Sequence, residues 1–249
     1  MKKGLMSLVF AVAMVITFST VSYATGGFLY QTAKAYQGGA IVVKYDVDYE
    51  RDEWKTVVYV FDYYGERSIE IGDSIYINTI EFFGDNQVFL VGCEGWLGRS
   101  SIFVFSIYNF TRVTRIDLAE GEYLSSWQIL SWRNAATLAT SIRDLSGAYK
   151  RLVRFVDFST KKLVKVATFS EDIKITLSTD SENQNYTVLT IGPKGNAAFY
   201  LVTEKNKLSL VDKFGLNADA EIAFVSSDID FISVRYKLPR LKYIELGSE

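Results

Sequence analysis

The sequence predicts an all-β chain in which one antiparallel unit recurs about five times, and three observations predict it. Apolar stretches of four or five residues recur along most of the chain, and turn-forming residues separate them. Beyond the first 24 residues no stretch carries helical periodicity. Composition agrees, because 17 Gly, 16 Tyr and 17 Phe stand beside only 2 Pro, a balance of strand formers and turn formers. Hydrophobic residues make up 49% of the 249, enough to bury a sizeable core.

Taken in order, the chain opens on an export signal. Lys2 and Lys3 form a positive head, and Leu5 to Val21 is apolar apart from Ser7, Thr17, Ser19 and Thr20. Ser22-Tyr23-Ala24 supplies small residues at the −3 and −1 positions, which places cleavage after Ala24. The apolar stretch is shorter than the roughly 20 residues of a spanning helix and turns polar near its end. Thr25 stands where a lipoprotein needs cysteine. The expected product is a periplasmic or secreted domain running from 25 to 249, with no stable membrane insertion after cleavage.

The repeats follow at 28–71, 78–118, 126–168, 173–212 and 221–246. In each, an apolar strand ends at Phe61, Phe105, Val156, Val202 or Ile244. Those positions are spaced by 44, 51, 46 and 42 residues. A more polar strand comes next in four of the five: Ser68–Ile71, Val113–Leu118, Leu163–Thr168 and Lys207–Val211. The first half of each repeat reads as a hairpin. Examples are Ile80–Phe83 with Val88–Val91 across Gly84–Asn86, and Trp127–Leu130 with Thr137–Thr140 across Arg133-Asn134. A period in this range signals a radial repeat, and four-stranded β-propeller blades match it best. The fifth repeat lacks an outer strand while Phe28–Ala33 is already used in the first, so the edge is either closed from the N-terminus or left open.

The layout resembles the WD-repeat-like propeller superfamily over nearly all of the expected mature chain. Arg151 to Thr168, containing Phe155-Val156-Asp157-Phe158-Ser159-Thr160-Lys161-Lys162, is most like one of its third-strand hairpins. The Gly-His and Trp-Asp dipeptides of that superfamily are absent. The resemblance implies a fold and says nothing of a substrate.

Several chemistries are excluded outright. With no His there is no histidine general base, no Ser-His-Asp triad and no His-ligated metal. A single Cys allows no intrachain disulfide, and Cys93, at the end of an apolar strand, is expected in the core. A charge of −2 and a pI near 5.4 argue against nucleic acid. No cofactor and no metal site is expected. Asp46, Asp48, Glu50 and Asp52 alternate, but Arg51 and Val57 occupy the glycine and final carboxylate positions of a helix-flanked calcium loop.

Function is expected on loops. Connections between second and third strands lie at the same end as those between repeats, and they include the segments 48–55, 94–100, 143–150, 192–196 and 237–240. Arg51, Trp54, Trp96, Arg99 and Tyr149 fall on them and form the expected binding set, because aromatic rings and arginine at a rim suit contact with a protein or peptide of the cell envelope. A carbohydrate ligand is the alternative, and a tryptophan that merely covers the end of a core is the plain one. Trp127 and Trp132 are expected to pack, and Asp73, Glu120, Glu122, Glu171, Asp172 and Asp219 to sit in exposed links between repeats. Asn109-Phe110-Thr111 and Asn185-Tyr186-Thr187 match a glycosylation pattern that is common by chance. A propeller glycosidase would need two carboxylates about 5–9.5 Å apart. Only Glu81 and Glu221 are candidates for that pair, and no repeat carries an insertion for a substrate pocket. N-terminal sequencing of the exported chain is expected to begin at Thr25; recovery of Met1 on the exported form would overturn that cleavage site.

Overall fold

The computed structural model describes residues 29–245 except 49–50, 52, 85, 95–98, 111, 144–146, 181–183, 203–204, 217–219, 226–230 and 237–240. The expected export signal lies outside the described residues. Nineteen strands form five antiparallel sheets. The first holds β1 (Leu29–Tyr36), β2 (Gly39–Asp48), β3 (Glu53–Asp62) and β4 (Gly65–Asp73); the second holds β5 (Ile75–Phe83), β6 (Gln87–Glu94), β7 (Ser100–Ser106) and β8 (Thr114–Asp117). The third comprises β9 (Glu122–Leu130), β10 (Ala135–Arg143), β11 (Tyr149–Asp157) and β12 (Lys162–Ser170). The fourth comprises β13 (Lys174–Asp180), β14 (Asn185–Ile191), β15 (Asn196–Val202) and β16 (Leu208–Gly215). The fifth has three strands: β17 (Ala220–Val225), β18 (Phe231–Tyr236) and β19 (Leu241–Glu245). Among the described residues one 3-10 turn, Ser131–Arg133, lies in the connection from β9 to β10.

The repeat expected from spacing is present at single-residue resolution. Phe61 pairs with Ala40, Phe105 with Val88, Val156 with Ala136, Val202 with Tyr186 and Ile244 with Ile232. Each partner is the second residue of its sheet's second strand. A slip by one residue would turn every apolar side chain to the other face, so this shared register is tightly specified. Bulges repeat as well. The first strand skips one residue in four sheets, at Gln31, Asn78, Ser125 and Glu221. The fourth strand skips Ile71, Val166 and Val211 in three. Bulges raise local twist, and they recur where stacked sheets need it.

The chain divides into two compact units, residues 1–120 and 121–249. In the first, the opening two sheets pack face to face. Ile41, Val43, Val58 and Val60 meet Val88, Leu90, Phe103 and Phe105. Strands β6 and β7 are buried along almost their whole length. That explains why their sequences read as apolar runs rather than alternations. Polar side chains tie the first sheet to the backbone of β5. Gln31 donates to the Ile75 carbonyl at 2.9 Å and accepts from the Ile77 N–H, and Thr56 exchanges bonds of 2.8 and 2.9 Å with Ile75. The bulge at Gln31 thus marks the place where its amide grips the neighbouring strand.

In the second unit Leu130, Ala139, Val153 and Phe155 of the third sheet pack on Leu177, Tyr186, Val188 and Val202 of the fourth. Phe155 stacks on Tyr186 with ring centroids 6.5 Å apart. Trp132 lies against this cluster, as expected of it. β13 lies beside β9, and β17 beside β13, so first strands are neighbours from sheet to sheet; β1 and β5 repeat this in the first unit.

One expectation is corrected here. Glu122 is no exposed linker residue. It opens β9 fully buried, at 0% exposure. Arg154 on β11 meets it in a two-pronged pair of 2.9 and 2.7 Å, and the Thr140 hydroxyl donates to the same carboxylate. Sequence alone placed Glu122 in a link because its partner is 32 residues away. A buried charge stripped of its partner is strongly unfavourable. Arg154→Met is therefore expected to destabilise the chain by about 3 kcal/mol in urea unfolding, and a change below about 1 kcal/mol would contradict this role.

Candidate functional site

The expected binding residues are divided between the two units. In the first, the β2–β3 connection spans only 49–52 and the β6–β7 connection only 95–99. Trp54 is therefore on β3, not on a loop: it pairs with Val47, stands edge-on to Tyr45 at 5.7 Å, and its carbonyl accepts the Ser74 N–H at 2.6 Å. The β2–β3 ladder continues out to the Asp48–Glu53 pair, so Trp54 falls inside it. Arg51 and Arg99 are exposed. Trp96 lies outside the described residues. Tyr149, in the second unit, is the first residue of β11 rather than a loop residue; it pairs with Arg143, whose guanidinium lies 5.8 Å from its ring.

Near Arg99 the charges satisfy one another. Arg115 pairs with Glu94 and, at 2.7 Å, with Asp117, which also accepts from the Ser101 hydroxyl at 2.7 Å. Burial pushes the Asp117 carboxyl up. The hydrogen bonds from Ser101 and Arg115 and the charges of Arg115 and Arg99 outweigh it, holding the group below its ordinary value. Cys93 is half-buried on β6. Glu81 lies on β5 and pairs with Phe89, while Glu221 is the bulge residue of β17 in the second unit; its side chain is outside the described residues.

The opposite end of the first unit, where the hairpin turns gather, holds what the sequence did not point to. A groove of about 430 Å³ runs between the β1–β2 turn, the β5–β6 turn and the segment after β7, lined by Tyr36, Gln37, Phe82, Phe83, Asn86 and Tyr108 among others. Its turns depend on residues that tolerate left-handed backbone: Gly38 at φ 105° and Asn86 at φ 65°. Gly39 is needed for another reason, since a Cβ there would stand 2.1 Å from the Phe61 carbonyl oxygen and 2.7 Å from the Tyr36 hydroxyl. Tyr36 packs against Phe82 with centroids 5.4 Å apart, and Lys34 sits 5.7 Å from the Phe82 ring while donating to the Ile80 carbonyl at 3.0 Å.

Asp62 and Arg67 form an ion pair, and Arg67 donates to the carbonyl of Ile107, a lining residue, at 2.8 Å. The Tyr36 hydroxyl is 3.5 Å from Asp62. Around this end three tyrosines stand in solvent: Tyr63 at 94% exposure, Tyr64 at 77% and Tyr108 at 67%. Tyr63 and Tyr64 meet edge to face at 5.8 Å, and the Tyr64 N–H donates to Asp62 at 2.8 Å. A signal for this end was present, since Tyr63-Tyr64 fills a two-residue turn between Asp62 and Gly65, where small polar residues are usual.

Burial, and after it the negative charge of Asp62, pushes the Tyr36 phenol from its ordinary 10.0 up to about 12. The folded chain thus favours the neutral phenol. This contribution to stability is present below pH 10 and is lost as pH rises through about 12. Unfolding measured from pH 9 to 12 is expected to show a steeper alkaline fall in the wild type than in Tyr36→Phe; parallel curves would contradict it.

No protein family and no curated protein matches the chain in sequence. Solved structures do match in fold. The acylaminoacyl peptidase of Pyrococcus horikoshii superposes with a TM-score of 0.55 at 10% identity, over 89% of this chain and 38% of the peptidase; this chain therefore spans well under half of that protein. The β-propeller domain of the trilobed protease from Pyrococcus furiosus, described as having an open velcro topology, matches with a TM-score of 0.54 at 10% identity over 89% of this chain and 69% of that one. Hydrazine synthase of Kuenenia stuttgartiensis gives 0.51 at 13% identity over 84% and 74%. The chain has the β-propeller fold, in four four-stranded sheets and one of three described strands.

Proposed function

We propose that the chain is an exported interaction scaffold and that it holds a protein or peptide partner at the turn-bearing end of its first unit. One observation carries this reading: Tyr63, Tyr64 and Tyr108 stand exposed at the end of the unit that bears a groove lined in part by Tyr36, Phe82, Phe83 and Tyr108. Tyrosine gives large, rigid contact area at low entropic cost and is enriched among residues that dominate binding energy. Two stacked sheets hold the turns that carry the rings, so less backbone has to be ordered on binding. Export rests on the pattern of residues 2–24.

The loop end bearing Arg51, Trp54, Trp96 and Arg99 is a second reading, favoured by the exposure of Arg51 and Arg99. Trp54 is half-buried, and Arg115 is held by Glu94 and Asp117, which leaves that end with less uncommitted contact chemistry. A photo-cross-linking residue placed at Tyr64 is expected to trap an envelope protein, and Tyr108→Ala to cut the adduct about tenfold, the equivalent of one strong contact. Arg99→Ala should leave the adduct unchanged. The reverse pattern would move the contact to the loop end.

A further inference from the structure

We infer that β16, in the second unit, pairs edge to edge with β16 of a second copy of this chain, so that the fourth sheet continues across a two-fold axis. β16 ends the order β13-β14-β15-β16, and among the described residues no strand pairs with its outer edge. An open edge presents a row of backbone donors and acceptors to any extended chain. The outer strands β4, β8 and β12 share that feature, and exposure sets β16 apart. Ser209 to Lys213 are exposed in succession, whereas β4, β8 and β12 expose no more than two residues in a row. Leu210 and Val211 are 47% and 55% exposed; the other large hydrophobic side chains exposed among the described residues are tyrosines. Charge sets it apart as well. β4 exposes Glu66, Glu70 and Asp73, and β12 exposes Lys162 and Lys165, so each presents one sign to its own copy. β16 carries both signs, Asp212 and Lys213, with Lys207 just before it, all exposed.

The register follows from the side on which each side chain lies. Leu208 packs against the core between the third and fourth sheets. Val202 pairs with Leu208 and Tyr200 with Leu210, so Leu208 and Leu210 share that side. Val211 is the residue skipped at the bulge, and the ladder resumes with Asp212 opposite Phe199. Ser209, opposite Leu201, and Asp212 therefore lie on the other side, and continued alternation puts Lys207 with them. Residues directly across an antiparallel pair project to the same side. That rule forbids Asp212 from facing Lys213 of the copy. It is met when Ser209 faces Ser209 on the axis: Leu208 then faces the Leu210-Val211 bulge of the copy, and Lys207 faces its Asp212. Each off-axis pair occurs twice, as an isologous contact requires. Moving the axis to Leu210 would set Leu208 against Lys213, and moving it to Asp212 would oppose two carboxylates. The Ser209 register alone among these three joins opposite charges and covers the exposed aliphatic pair.

The test is the association state of the purified full chain in analytical ultracentrifugation, with circular dichroism to check that each variant folds. The wild type is expected to sediment as a dimer with a micromolar Kd, in keeping with a small contact. Leu210→Lys, at a side chain that already meets solvent, should weaken dimerisation about tenfold. Asp212→Lys sets a lysine against Lys207 and should weaken it to a similar degree; adding Lys207→Asp should restore it. Under oxidised glutathione, Ser209→Cys should form a disulfide-linked dimer, because residues facing each other across antiparallel strands lie within disulfide reach. Asp212→Cys, and the wild type with Cys93 as its one cysteine, should stay unlinked. A monomeric wild type, or a dimer indifferent to Leu210→Lys, would overturn the inference. Failure of the double variant to recover, or linkage through Asp212→Cys in place of Ser209→Cys, would overturn the pairing of the strands. A monomer whose Ser209→Cys form links to a different protein would assign the edge to a foreign strand, and the second copy would be wrong.

Discussion

The constraint on which this molecule depends is that its middle strands are apolar on both faces. A sheet whose second and third strands read Val-Phe-Leu-Val and Ile-Phe-Val-Phe, as in β6 and β7, has no side to give to water. It becomes stable only when another sheet covers each face, and the cheapest supply of such sheets is the same unit repeated. Burying a single Phe or Leu is worth about 1.5–3 kcal/mol. Ile41, Val58, Leu90 and Phe103, all fully buried in one contact between sheets, therefore outweigh the weak intrinsic preference of any one strand.

Polar groups then decide where the sheets lock. Burial in a core is permissive about small shifts, whereas a hydrogen bond is not. Gln31 and Thr56 take up backbone groups of β5, fixing how the first two sheets meet along their strands. Within the third sheet a buried charge ties the strands to one another. Glu122 and Arg154 span β9 to β11, with Thr140 of the strand between donating to the carboxylate. Between the first two sheets the tie is an amide and a hydroxyl; inside the third it is an ion pair. The recurrent bulges belong to the same design, since each re-aims a side chain and adds the twist that lets neighbouring sheets stack.

The rigid stack has two kinds of end. At the loop end of the first unit, charges are consumed internally and Trp54 is packed into its own sheet. At the turn end, tight hairpins bring rings together that are far apart in sequence: Tyr36, Phe82 and Tyr108 lie on different hairpins, and only stacking makes them neighbours. Gly39 allows the tightest of these approaches, because the Tyr36 ring and the Phe61 carbonyl fill the space a side chain would need.

Much of this was legible in residue order. The class and the equivalence of Phe61, Phe105, Val156, Val202 and Ile244 follow from periodicity, because a two-residue alternation and a repeat of about 46 residues are properties of the chain itself. The three-stranded last sheet was visible for the same reason. Trp54 and Tyr149 were misplaced on loops because how far two strands stay paired depends on both, as in the β2–β3 ladder that runs out to Asp48 and Glu53. Glu122 was misread because an acid's burial is set by a partner 32 positions on. The tyrosine groove escaped notice since proximity between turns of different hairpins has no signature in local order. Sequence determines how each sheet forms; the packing of one sheet on the next decides which side chains end up side by side in solvent.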